Sequence, residues 1–253
     1  MVQDKDSRMT VDIRIFRADE NPDDTMRYIQ GHRKILEAYG VTQVTSASLD
    51  WMNEPYTFIV MVESAELGKV MGGARIQIAS GQLPLPIETA IDDLDTSIFD
   101  YVKAKIPGRT AEFCGLWNSR EVAGFGIGSI FLGRVGVAII EQLRLGSLFA
   151  FASQATYKNC MRVGFRIIKK LGINGTFYYP KEDLLATALI IEDPADLEGA
   201  NEEDRERILD MRNRPVQTAI EKGPKGEIIV NYDLRVNSAS VLNLPLESHF
   251  ATT

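Results

Sequence analysis

The stretch Glu112–Ser129 reads EFCGLWNSREVAGFGIGS, and Ile130–Arg144 follows it as a mostly apolar run. Ala111–Trp117 (AEFCGLW) has strand composition, Gly124, Gly126 and Gly128 punctuate the chain after it, and Ile130–Arg144 is predicted as a helix. A glycine-rich turn between a strand and a helix lets successive main-chain N–H groups converge at the helix start. The helix dipole adds partial positive charge there, so the place suits phosphate. The same glycines also serve a tight turn and close helix–sheet packing, and that reading stays open here. Spacing excludes two other phosphate loops. The third glycine of GxGxxG would be Ser129 or Phe131, and no Gly-Lys-Ser/Thr follows for a Walker loop.

Upstream, Thr10–Arg17 (TVDIRIFR) alternates as a half-buried strand, and Asn21–Asp24 supplies helix-start chemistry for a helix ending at Gly40. Tyr56–Glu63 and Lys69–Ile78 read as a hairpin with a polar tip. Ser80–Gly108 holds Pro84, Pro86 and Pro107, yet its Leu85, Ile87, Ile91 and Ile98 want burial. It is therefore expected to be an insertion between strands, with one short helix over Thr96–Lys105. Downstream, Leu148–Ala152 is a short buried strand and Ser153–Arg162 a helix stopping at Gly164. Phe165–Lys169 and Ala186–Glu192 are strands around a turn region at Gly172–Pro180. Asn201–Lys222 is expected as a charged helix broken near Pro215, with Asn201–Arg212 a solvated face. Gly226–Val236 is a last strand, and the tail beyond it is expected to be mobile. A strand–loop–helix–strand unit requires a parallel crossover while hairpins require antiparallel pairs, so the sheet is mixed.

The 253 residues, 45% of them hydrophobic, suit one large α/β domain with or without an appended subdomain. A net charge of −7 argues against nucleic acid as the main partner. Local basic patches stay open, since Arg109, Arg120, Arg134 and Arg144 lie near the glycine loop. No apolar run is long enough to span a bilayer, and the polar start Met1–Asp6 lacks a signal-peptide core, so a cytoplasmic protein is expected. Two cysteines, Cys114 and Cys160, and two histidines, His32 and His249, offer no metal-ligand spacing, no HExxH and no nucleophile–base pair. Both cysteines read first as buried, inert thiols.

Three segments together resemble the GNAT acyltransferase superfamily. Glu112–Ser129 is similar to its strand and R/Q-x-x-G-x-G/A loop. Gly68–Arg75 (GKVMGGAR) is similar to the second strand of its hairpin, and Ala155–Phe165 (ATYKNCMRVGF) to its helix ending in Gly-Phe. The resemblance covers roughly residues 10–192 and implies an α/β (α+β) GNAT fold. A mixed, mostly antiparallel sheet would be flanked by helices, with the insertion at 80–108. Residues 1–192 would form the acyltransferase domain, and 193–253 a helix–strand extension packed on it. The insertion, Met161–Phe165 and the later Gly175–Pro180 look more like the branch holding autoinducer synthases and long-chain N-acyl amino acid synthases.

The resemblance further implies an acyl group moved from coenzyme A, or from acyl carrier protein, to a small amine by direct attack. An amino acid is among the acceptors, and no metal is needed. It leaves a homodimer open. Glu112 would be the base, although it could equally anchor its strand to Arg109 or Arg75. The Leu116 main-chain N–H would hold the oxyanion, a donor worth ~3 kcal/mol in such sites. Leu116 and Asn118 would meet the pantetheine arm, and Ala123, Gly124, Phe125, Gly126, Ile127, Gly128 and Ser129 the pyrophosphate. Two positions depart from the pattern. Ala123 stands where the loop Arg or Gln belongs, with Arg120 nearby. Cys160 stands where a tyrosine protonates the leaving thiolate, with Tyr157 a turn earlier. These departures keep two alternatives: a GNAT-fold protein that binds acyl-CoA without turnover, and an autoinducer synthase making an acyl-homoserine lactone-type signal.

Overall fold

The computed structural model describes residues 8–40, 44–237 and 241. The expected mobile tail falls largely outside these, as does His249. One mixed sheet organises the chain, with neighbours in the order β6-β8-β5-β4-β3-β2-β1-β10-β9 and β7 also on β8. Its strands are β1 (Thr10–Arg17), β2 (Thr57–Ser64), β3 (Val70–Ile78), β4 (Thr110–Asn118), β5 (Ser147–Ser153), β6 (Arg166–Ile167), β7 (Thr176–Tyr178), β8 (Leu185–Ile191), β9 (Val216–Gly223) and β10 (Gly226–Asp233). Among the described residues only β1–β10 and β4–β5 pair in parallel.

Helices cover both faces. Helix α1 (Pro22–Ala38) starts with proline in its first turn and buries Thr25, Tyr28, Ile29 and His32, a single stripe at helical spacing. That stripe packs with Trp51, Ile59, Met61 and Trp117 on one face of the sheet. The insertion lies on the same face, where Leu85, Ile87, Ile91 and Ile98 pack with Phe149, Phe177 and Ile190. On the other face, α4 (Leu132–Ala138) buries Leu132, Val135 and Val137 in the largest core cluster.

Four sequence expectations need correction. The insertion holds two helices, α2 (Pro86–Ile91) and α3 (Ser97–Lys103). Pro86 fits a first helical turn, and the Glu88 carboxylate accepts the Leu85 N–H at 2.7 Å, so proline content did not preclude a helix. The helix after the glycine loop begins earlier and ends sooner than expected. Gly126 O accepts from both Ile130 N (2.8 Å) and Phe131 N (3.0 Å), opening a π turn over Ile127–Phe131. Arg144, at φ 54°, then turns the chain toward β5. The turn region 172–180 contains the short strand β7.

The fourth correction concerns 201–222. Helix α6 (Glu202–Asn213) is real and capped by the Asn201 side chain, but Val216–Gly223 is a strand. It pairs with β10 along its whole length, and that pairing outweighs the helical charge pattern. Nor is α6 simply solvated, because Asp204 is buried and bonds Arg134 and Arg162. Helix α5 (Gln154–Arg162) matches its expected range closely.

Candidate functional site

Strands β4 and β5 pair only at Thr110–Ser147, Ala111–Leu148 and Glu112–Phe149. Beyond Glu112 they part: β4 continues to Asn118 beside β3, and β5 continues to Ser153 beside β8. The parting coincides with a bulge. Arg75 pairs with Cys114 and Gly73 with Trp117, which leaves Gly115 and Leu116 opposite Ala74 alone. Gly115 adopts φ 58°, a conformation cheap only for glycine, and its carbonyl accepts the Tyr28 hydroxyl at 2.5 Å. The extra residue inverts the alternation of side chains. Leu116 therefore joins the α4-side cluster, while Trp117 goes under α1.

The loop Gly124–Ser129 stands at this opening. Gly124 and Gly126 have φ 88° and 93°. The N–H groups of Ile127, Gly128 and Ser129 have no acceptor among the described residues. A Cβ added at Gly128 would stand 2.1 Å from Asn118 Oδ1, so a larger residue there requires the Asn118 amide to turn away. Asn118 thus packs directly on the loop, and its Nδ2 donates to Ser119 O. Ala123 closes a 3-10 turn over Arg120–Val122, and Arg120 is exposed beside it. Phe125 is half-buried, as are Leu116, Tyr157 and Cys160, and all four pack against one core cluster. Tyr157 and Cys160 reach it from α5.

Glu112 is 2% exposed and accepts the Ile87 N–H at 2.7 Å. Burial pushes its carboxyl up to about 8, and the Ile87 bond and the Arg75 charge oppose that rise only in part. Neither Arg109 nor Arg75 forms an ion pair with it among the described residues. The anchor is instead the first turn of α2. Burial likewise pushes Cys114 and Cys160 up to about 12, so both are neutral thiols at ordinary pH. Arg134 is withdrawn from the expected basic patch, because it is buried in ion pairs with Asp204, Glu203 and Glu221.

Sequence reading missed Lys225. The β9–β10 turn folds onto the glycine loop: Lys225 N donates to Gly124 O at 2.9 Å, and its side-chain carbons lie under 3 Å from where a Gly124 Cβ would stand. Its exposed side chain makes no ion pair among the described residues. No local signal marks it, since the contact joins positions a hundred residues apart. Among the described residues no group of three or more His, Cys, Asp or Glu is placed to hold a metal, and no helix is long and apolar enough to cross a membrane.

No protein-family model matches the chain, and no curated protein matches it. Solved structures do. FeeM, an N-acyl amino acid synthase from uncultured soil microbes, is 14% identical, with a TM-score of 0.56 over 78% of this chain and 97% of its own. BjaI, a CoA-dependent acyl-homoserine lactone synthase solved with SAM and isopentyl-CoA, is 12% identical, with a TM-score of 0.50 over 93% and 98%. ElaA from Escherichia coli is 9% identical, with a TM-score of 0.50 over 72% and 99%. With β4 parting from β5 and the glycine loop following β4, this likeness shows the fold to be that of the GNAT acyltransferases.

Proposed function

We propose that the chain transfers an acyl group from acyl-CoA, or from the phosphopantetheine of acyl carrier protein, to the amine of a small molecule. Residues 1–192 would carry the acyltransferase domain and 193–253 an extension packed on it. One observation carries this reading: β4 leaves β5 after Glu112, and the loop that follows β4 has N–H groups with no acceptor among the described residues. Such a gap admits a pantetheine arm as an added strand-like partner, and the loop receives the diphosphate. The residues fit that group. Gly128 leaves room for close approach, and the Lys225 ammonium takes the place of the cation that Ala123 lacks.

In the reaction, the neutral amine attacks the thioester carbonyl and the C–S bond breaks. The Leu116 N–H holds the developing oxyanion. Glu112, ionised above about 8, takes the surplus amine proton, directly or through water. Tyr157 or Cys160 gives a proton to the departing thiolate.

The test is a series of acyl-CoA chain lengths, read as melting temperature and as free thiol released when amines are added. Stabilisation by one chain length, with thiol released only when an amine is present, is the expected result. Failure of every donor to shift melting sinks the reading. A second reading is binding without turnover. It is favoured by Ala123 and Cys160 standing at the departing positions, and by Glu112 being closed under Ile87. Tight acyl-CoA binding with no thiol released across many amines supports it.

A further inference from the structure

Strand β9 ends the sheet, and the two ends of that sheet are finished differently. At the opposite end β6 is two residues long and β7 three, with the exposed Lys169 and Lys170 close behind β6. Short strands and lysines of this kind keep an edge from pairing with another chain. Strand β9 is eight residues long and stays in register with β10 throughout, without a bulge or a proline. Its one lysine, Lys222, lies at the tip of the hairpin.

The free side of β9 follows from the ladder. Leu234 N donates to Pro215 O at 2.9 Å, one step beyond the Asp233–Val216 pair, so the main chain at Pro215 faces β10. Antiparallel ladders alternate, so Gln217, Ala219, Glu221 and Gly223 also spend their N–H and C=O groups on β10. Val216, Thr218, Ile220 and Lys222 point theirs out of the sheet, where nothing meets them among the described residues. The side chains of the same four residues are exposed, Val216 at 53% and Ile220 at 57%.

The pattern along this edge is self-complementary. Val216 and Ile220 stand two residues either side of Thr218. Antiparallel pairing about a two-fold axis at Thr218 sets Val216 against the partner's Ile220 twice, with the two threonines on the axis. It joins only outward-facing groups, in residue pairs that exchange about six main-chain hydrogen bonds. The charges agree with this direction. Lys222 makes no ion pair among the described residues, and the two-fold carries it just past the partner's Val216. Asp233 is the β10 neighbour of Val216 on that face, half-exposed, with its carboxyl held below the usual range by its bonds to Arg235. A second copy supplies every one of these positions.

We propose that β9 pairs with β9 of a second copy of this chain, antiparallel about Thr218, so that one sheet runs through a homodimer.

Sedimentation velocity of the full chain from about 1 to 100 μM reads the assembly. Wild type is expected to show a dimer whose share rises with concentration. Ile220→Lys sets a charge against the partner's Val216 twice, and is expected to raise the dimer Kd about tenfold or more with melting of the dilute protein unchanged. Thr218→Cys puts two thiols on the axis with Cα atoms about 5.5 Å apart, within disulfide reach, so mild oxidation should link two copies. Lys222→Cys, far from the axis, should stay unlinked. A monomer at every concentration overturns the proposal. So does a dimer that Ile220→Lys leaves intact, or linkage no better through Thr218→Cys than through Lys222→Cys. Should Ile220→Lys fold poorly, the two cysteine variants decide alone. None of these readouts uses a donor or an acceptor, so the dimer and the acyltransferase reading fail separately.

Discussion

Glu112 Oε2 accepts the Ile87 N–H at 2.7 Å, so the first turn of the insertion is tied to the strand where the sheet opens. The acid proposed to handle the amine proton is thereby also a clasp between two parts of the fold.

That dual role has a pH signature. Burial pushes Glu112 up to about 8 and Glu88 up to about 7, both from an ordinary 4.5. A raised carboxyl pKa means the fold favours the protonated form. The associated stability is fully present below about 4.5 and is lost as pH rises through about 7 to 8. Melting temperature should fall between pH 5 and 9, and Glu112→Gln should flatten the fall. In acyl transfer, kcat/KM should rise with an apparent pKa near 8, and Glu112→Gln should lower the plateau by roughly 100-fold or more. Melting that climbs over this pH range would count against the burial argument.

Lys225 should matter to the donor and not to the fold. Removing one cation from a diphosphate site weakens binding by about tenfold. Lys225→Met is expected to raise the Kd for acyl-CoA by that amount at low salt, by less at high salt, with melting of the free protein unchanged. Equal affinities at low salt would leave the loop without its cation.

Gly128→Ala would drive a methyl group to within 2.1 Å of Asn118 Oδ1. The Asn118 amide must then turn away, and losing its bond to Ser119 O costs about 0.5–1.5 kcal/mol. Lower melting and lost donor binding are expected together. The Asn118→Ala, Gly128→Ala double variant should recover melting, because the clashing amide is gone. A double variant as unstable as the single one refutes this packing.

Helix α6 and strand β9 are held by buried charge. Arg134 on α4 bonds Asp204 on α6 at 2.5 Å and reaches Glu221 on β9 at 3.3 Å, with Arg207 and the Tyr232 hydroxyl also on Glu221. Breaking one partner leaves the others uncompensated, at a cost of about 3–5 kcal/mol. Asp204→Asn should lower melting markedly by calorimetry, and Asp204→Leu combined with Arg134→Met should restore much of it. Loss confined to the exposed Glu203 end would show the network to be peripheral.

Much of this was legible in the chain itself. The alternation in Thr10–Arg17, the hairpin around Ser64–Gly68 and the loop at Gly124–Ser129 follow from local period and glycine placement, and the structure keeps them. Sequence reading erred where a distant partner decides. Val216–Gly223 is a strand because β10 offers it a full register, and Asp204 is buried because Arg134 waits on another helix.

The sequence by itself determined strands β1 to β5, helices α1 and α5 and the loop suited to phosphate, because backbone conformation responds to neighbours a few residues away. Only the tertiary structure decided that β4 leaves β5 after Glu112, that Lys225 reaches Gly124, and that Arg75 is buried with no carboxylate partner among the described residues. Those facts depend on register, on the bulge at Gly115 and on long-range burial, where one residue of slip would send each side chain to the opposite face.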